Sequence, residues 1–124
     1  MTAARMQRGL DCEALAARYL QERNLQVLAR NLRCRLGELD IVAKENATLV
    51  IVEVRQRTRR EFGGALASVD WRKQRKIIRA TRYFLQVHRE WRGFRLRFDV
   101  IAVEGTPEGR HQINWVQDAF RPCR

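Results

Sequence analysis

Gly37-Glu38-Leu39-Asp40-Ile41-Val42-Ala43 and Leu49-Val50-Ile51-Val52-Glu53-Val54-Arg55 read as the two strands of a β-hairpin, with Glu45-Asn46-Ala47-Thr48 as the turn between them. With that four-residue loop, Lys44 pairs with Leu49, Val42 with Ile51, Asp40 with Glu53 and Glu38 with Arg55. Side chains directly opposed on antiparallel strands share a face, so Asp40 and Glu53 are expected roughly 5 Å apart. Two carboxylates at that distance repel by about 3 kcal/mol at an effective dielectric near 20. A cation would offset that cost, and the pair therefore points to a divalent metal site. The plainer alternative is a solvated strand end, with Glu38 and Arg55 as a cross-strand ion pair. Glu53 follows four apolar residues, Leu49 to Val52, which argues against casual exposure.

Around the hairpin, residues 8–23 read as a helix whose apolar side carries Leu10, Ala14, Ala17, Tyr19 and Leu20. Glu13 lies in the row Leu10-Glu13-Ala17-Leu20, so this acid is expected toward the core. It either joins the hairpin acids or pairs with Arg8 or Arg18. Residues 25–33 form a first strand. Residues 56–67 are a basic, glycine-containing loop in which Gly63-Gly64 marks a bend. A second helix runs from about Asp70 to His88, capped by Ser68 or Asp70, with Ile77, Ile78, Thr81, Phe84 and Leu85 on its apolar face. Residues 95–103 return as a strand, most simply parallel to the second hairpin strand through a right-handed crossover. Residues 105–110 turn, and 111–119 form an edge strand. The order αβββαββ predicts a small α/β domain with a mixed central sheet, one domain over residues 1–124 with its core at about 8–119.

Charge supplies the second strong signal. The 124 residues hold 25 Lys or Arg against 14 Asp or Glu, a net charge of +11, and 22 of the basic residues are Arg. Residues 55–82 alone hold ten Arg or Lys against Glu61 and Asp70. A polyanionic partner follows, with nucleic acid favoured over a membrane surface. Arg57, Arg59, Arg60, Arg72, Lys73 and Lys76 are the candidate phosphate contacts. The plainer reading of such a run is a solvated helix face. Trp71 borders it and is expected to cap the helix against the core rather than to stack on an unpaired base. Trp91 and Trp115 read as packing residues. Cys12, Cys34 and Cys123 are odd in number and not at metal-finger spacing, so they read as reduced thiols of a cytoplasmic protein. No long apolar run suggests a signal peptide or membrane span.

Three acids and a permanent cation, Glu38, Asp40, Glu53 and Arg55, would share one end of the hairpin. Hard oxygen ligands in that number suit Mg²⁺ or Mn²⁺, either of which activates water and stabilises charge on a phosphodiester. An Asp followed by Glu-x-Lys on the next strand is the pattern of the restriction-endonuclease-like nucleases, to which Holliday-junction resolvases add an acid on the preceding helix. The chain resembles more closely the YraN-like family (UPF0102), assigned to that nuclease fold. The matching stretches are Cys12-Glu13-Ala14-Leu15-Ala16-Ala17-Arg18-Tyr19-Leu20, Arg30-Asn31-Leu32-Arg33, the two hairpin strands, Phe62-Gly63 and Arg97-Phe98-Asp99-Val100-Ile101.

The resemblance implies a restriction-endonuclease-like three-layer fold, a sheet flanked by helices. It also implies metal ligation by Glu13, Asp40 and Glu53, with Arg55 in the usual lysine position. Arg55 stays protonated, which excludes it as a general base but leaves electrostatic stabilisation open. The implied activity is metal-dependent hydrolysis of DNA, favoured over RNA, on branched or single-stranded substrates. A junction resolvase would in turn be a homodimer. Glu38, Gln56 and Asp99 stand as outer partners of the site, although Asp99 reads first as a buried hydrogen-bonding acid. The alternatives are a catalytically weak or inactive nucleic-acid-binding domain on the same scaffold, and a basic face that binds an acidic protein.

Overall fold

The computed structural model describes the backbone of residues 2–57, 69–105 and 110–122, and the side chains of those residues from Cys12 onward, Arg57 excepted. Helix α1 (Thr2–Glu22) leads into strands β1 (Gln26–Cys34), β2 (Gly37–Glu45) and β3 (Thr48–Arg57). Helix α2 (Trp71–Val87) and a short 3-10 turn (Arg89–Trp91) precede β4 (Arg95–Gly105) and β5 (His111–Phe120). The strands lie in the order β1-β2-β3-β4-β5, antiparallel except for the β3–β4 pair, which is parallel. The crossover through α2 makes that parallel pair possible, because two parallel strands cannot be joined by a tight turn.

Alternation along the central strands sorts the core into two layers. Ile41, Ala43, Val50, Val52, Ile101 and Val103 pack with Ala16, Ala17 and Leu20 of α1. Val42, Leu49, Ile51, Phe98, Val100 and Ala102 pack with Ile77, Ala80 and Phe84 of α2. The result is an α/β/α sandwich with a five-stranded mixed sheet, in line with the restriction-endonuclease-like fold. Helix α2 begins where expected: Asp70 is the N-cap, its side chain accepting the Lys73 N–H at 2.9 Å.

The hairpin differs from expectation in two respects. Its turn contains two residues, Asn46 and Ala47, because Glu45 still pairs with Thr48. Asn46 makes the short loop possible by adopting a left-handed φ of 53°. The expected pairs Lys44–Leu49 and Val42–Ile51 form, but the regular ladder ends at Ile41–Val52. Strict alternation would also put Leu39 and Ile41 on one face, yet Leu39 packs in the α2 layer and Ile41 in the α1 layer. The break falls on Asp40. One residue before Glu38, Gly37 has φ +152°, and a Cβ there would stand 3.4 Å from the Lys76 carbonyl of α2.

Asp99 takes the structural one of its two expected roles and is not an outer partner of the hairpin acids. It is fully buried on β4 and turns toward β5 instead of the hairpin acids. Arg97 donates to both of its oxygens at 2.9 and 3.0 Å, and Trp115 Nε1 and the Asp118 N–H add two bonds of 2.9 Å. Its lone pairs are thus occupied in tying β4 to β5. Removing Asp99 leaves Arg97 paired with Glu45 at 2.8 Å but strips Trp115 Nε1–H and the Asp118 N–H of their acceptor, which costs about 1–3 kcal/mol. Asp99→Ala is accordingly expected to lower urea-unfolding stability by that amount. An unchanged midpoint would show that the network carries no net stability.

Candidate metal and nucleic-acid site

A cleft of about 380 Å³ opens at the point where β2 and β3 part, and Glu13, Glu38, Asp40, Glu53, Arg55 and Lys73 all line it. Three elements deliver these groups. Glu13 comes from α1, the other acids and Arg55 from the hairpin, and Lys73 from the first turn of α2. Asp40 and Glu53 are 6% and 5% exposed, so both carboxyls are largely withdrawn from water.

Asp40 Oδ2 accepts the Val54 N–H at 2.9 Å, a backbone donor that a continued ladder would have given to β2. Glu53 Oε1 has two cations nearby, Lys73 Nζ at 3.5 Å and Arg55 Nη1 at 3.7 Å. These separations are longer than a good charged hydrogen bond. Glu38 pairs with Arg33 at 3.2 Å. Glu13 has Arg30 only at 4.0 Å, and its buried Oε2 has no hydrogen-bond partner among the described residues. An unmade bond of this kind costs about 1–3 kcal/mol.

Burial dominates the protonation of the cleft. It pushes the Glu53 carboxyl up to about 8, with the Asp40 charge adding to the rise and Lys73 and Arg55 opposing it. Two cations therefore do not outweigh desolvation. Asp40 is also raised, first by burial and then by Glu38, against the pull of the Val54 N–H. Contact with Asp40 raises Glu53 further and contact with Glu53 lowers Asp40, so of the two acids it is Glu53 that favours the protonated form. Glu13 is raised by burial and by Asp40, partly offset by the Asn31 side chain and Arg30.

These residues fit a hard divalent cation in one specific manner. Among the described residues no three His, Cys, Asp or Glu side chains form a ready-made cage. Mg²⁺ seldom needs one, since it keeps several waters and is held by one or two carboxylates together with substrate phosphate. The pair Asp40 and Glu53, with the Glu13 oxygen that has no hydrogen bond among the described residues, matches that requirement.

The expected residues divide clearly by position. Glu13, Glu38, Asp40, Glu53, Arg55 and Gln56 come together at the cleft, and Asp99 does not reach it. Arg72 and Lys76 are exposed on α2, whereas Lys73 turns inward to Glu53. The Arg57 side chain, Arg59, Arg60 and Gly63-Gly64 lie outside the described residues. Trp71 does not cap α2 against the core: it is 59% exposed. Trp91 is buried, stacked on His88, and Trp115 packs on the α1 layer, as expected. Asn31 and Arg33 also line the cleft and had drawn no role of their own. The detectable signal was Asn31, an Asn within a strand, which here takes a left-handed φ of 54°.

Comparison with known proteins places this chain in a family. The model of the uncharacterised protein family UPF0102 matches residues 12–103. The chain belongs to the UPF0102 family. A UPF0102 protein of Pseudomonas savastanoi pv. phaseolicola is 43% identical over 118 residues, covering 95% of this chain and 96% of that one. Another, from Stutzerimonas stutzeri, is 46% identical over 112 residues, covering 90% and 92%. The UPF0102 match spans both halves of the cleft, from Glu13 on α1 to Lys73 on α2. No helix of the described residues is long and apolar enough to cross a membrane.

The raised Glu53 pKa has a consequence for stability. Folding favours its acid form, so the contribution is complete below the ordinary value of 4.5 and is lost as pH rises through about 8. In chelator, the protein is expected to lose roughly 3 kcal/mol of unfolding free energy between about pH 5 and pH 8. Glu53→Gln should flatten that slope. Urea titrations across the range decide it, and equal slopes for both proteins would contradict the assignment.

Proposed function

We propose that this protein is a metal-dependent endonuclease that hydrolyses DNA phosphodiester bonds, with branched or single-stranded DNA as its preferred substrate. The observation that carries the reading is the pair of buried carboxyls, Asp40 and Glu53, lining one cleft with Glu13, Lys73 and Arg55. Its position beside a helix with six basic residues between Arg72 and Arg82 supports a phosphate-bearing substrate. Asp40 and Glu53 would hold Mg²⁺ or Mn²⁺, with Glu13 as the third carboxylate. When bound, such an ion polarises the phosphodiester and lowers the pKa of water.

The chain's own groups do the remaining work. Val54 N–H fixes the Asp40 carboxylate, so that the acid does not have to be ordered when substrate arrives. Arg55 and Lys73 approach the same oxygen of Glu53 from two elements. Their charges are suited to stabilise the negative charge that grows on the phosphate during attack. Arg55 supplies charge and no base. Arg33 and Gln56 at the rim are placed to hold phosphate or sugar oxygens.

A second reading, a nucleic-acid-binding domain without turnover, is favoured by Arg55 in the position where related nucleases carry Lys. Lys73 weakens it, because a lysine does stand at the same carboxylate. A labelled panel of duplex, single strand, flap and four-way junction, incubated with Mn²⁺ or Mg²⁺, separates the two. Cutting is expected to need the metal and to vanish in Glu53→Gln, and Lys73→Ala should slow it by about 10²-fold. Undiminished binding of the panel with no cutting by the wild-type protein would leave the binding-only domain.

A further inference from the structure

A second feature lies on α2, outside the acid cleft. Trp71, Arg75, Ile78 and Arg82 recur at helical spacing and form one stripe along it. With Arg79 and with Arg121 after β5 they line a groove of about 270 Å³. Lys73 projects about 200° around the helix from Trp71, into the cleft, so the first turn of α2 separates the two sites. Arg82 and Arg121 also line an adjoining hollow of about 850 Å³, which adds Arg95. The groove thus continues past the end of the stripe.

Its chemistry is unusual for a solvated helix face. Arg79 and Arg82 have no carboxylate within ion-pair distance among the described residues, and Arg75 instead lies 5.4 Å from the Trp71 ring centre. Arg121 is the exception, paired with Asp118 at 2.6 Å. Guanidinium groups crowded on one face repel unless an anion joins them. A polyanion alone would account for the arginines but not for an indole left 59% exposed among them. A flat aromatic ring beside unpaired guanidinium planes offers stacking surface to a base and charge to the phosphates on either side of it. Duplex DNA hides its base faces, so the matching ligand is unpaired.

We propose that this groove binds a single-stranded segment of nucleic acid, with a base stacked on Trp71 and the backbone held by Arg75, Arg79 and Arg82. It rests on the reading of the protein as one that handles nucleic acid, but not on catalysis. Lys73, in the same first turn as Trp71, lines the acid cleft, so on the nuclease reading the groove would favour substrates that carry an unpaired arm.

The test is fluorescence anisotropy in chelator, with a labelled single strand about 12 nucleotides long and its duplex. Trp71→Ala is expected to weaken single-strand binding by about 5- to 150-fold, the equivalent of losing one stacked base, and to leave duplex binding little changed. Trp71→Phe should recover most of the loss. The double variant Arg79→Ala with Arg82→Ala should lower the salt slope for the single strand by about 1.4. Wild-type affinity in Trp71→Ala, an equal loss on duplex, or equal binding of poly-glutamate would overturn the proposal. Because binding is read without metal, it is independent of cutting: a protein that fails to cut the panel with Mn²⁺ or Mg²⁺ yet shows this Trp71 dependence would sink the nuclease reading and leave the groove standing.

Discussion

The hydrogen bond from the Val54 N–H to Asp40 Oδ2 is the contact on which the cleft depends. It occurs where the β2–β3 ladder stops after Ile41–Val52. Backbone groups that leave a ladder must find another partner or pay for desolvation. Here a side-chain carboxylate supplies the partner, so the strands can separate without loss. Their separation makes the space in which Glu53, Glu13 and Lys73 meet. An antiparallel ladder that continued through residues 38–55 would have closed the same space with backbone.

Desolvation then sets the chemistry. The cleft holds several acids and several cations, and simple counting would leave its carboxyls ionised. Burial nevertheless outweighs Lys73 and Arg55 at Glu53 and raises both carboxyls above their ordinary values. On the proposed reading, a divalent ion would relieve that imbalance by bringing two charges and its own waters. The Glu13 oxygen, without a hydrogen bond among the described residues, belongs to the same imbalance. The cost of burying these groups is tolerable only because α1 and α2 pack firm apolar layers on both faces of the sheet.

Much of the fold was legible in the sequence because period-two alternation and the Asp70 cap are local signals. The hairpin register followed from the same alternation for Lys44–Leu49 and Val42–Ile51. It failed beyond Ile41, where a carboxylate replaces a ladder partner, a substitution that no periodicity reveals. The turn was read two residues too long because Asn46 tolerates a left-handed backbone. Lys73 and Trp71 were harder still. Helical spacing gives their angular separation, but which of them meets the sheet end depends on how α2 rolls against Gly37 and the strands. Asp99, an acid interrupting an apolar strand, read first as a buried hydrogen-bonding group, and Arg97, Trp115 and Asp118 are the partners that occupy its oxygens.

The most direct measurement is calorimetric titration of the protein with Mn²⁺ at pH 7, in two buffers of different ionisation enthalpy. Binding should release close to one proton per ion, the proton favoured on Glu53, and should disappear in Asp40→Asn. Mn²⁺ binding with no proton release, or binding that survives in Asp40→Asn, would show that the acid pair is not the metal site.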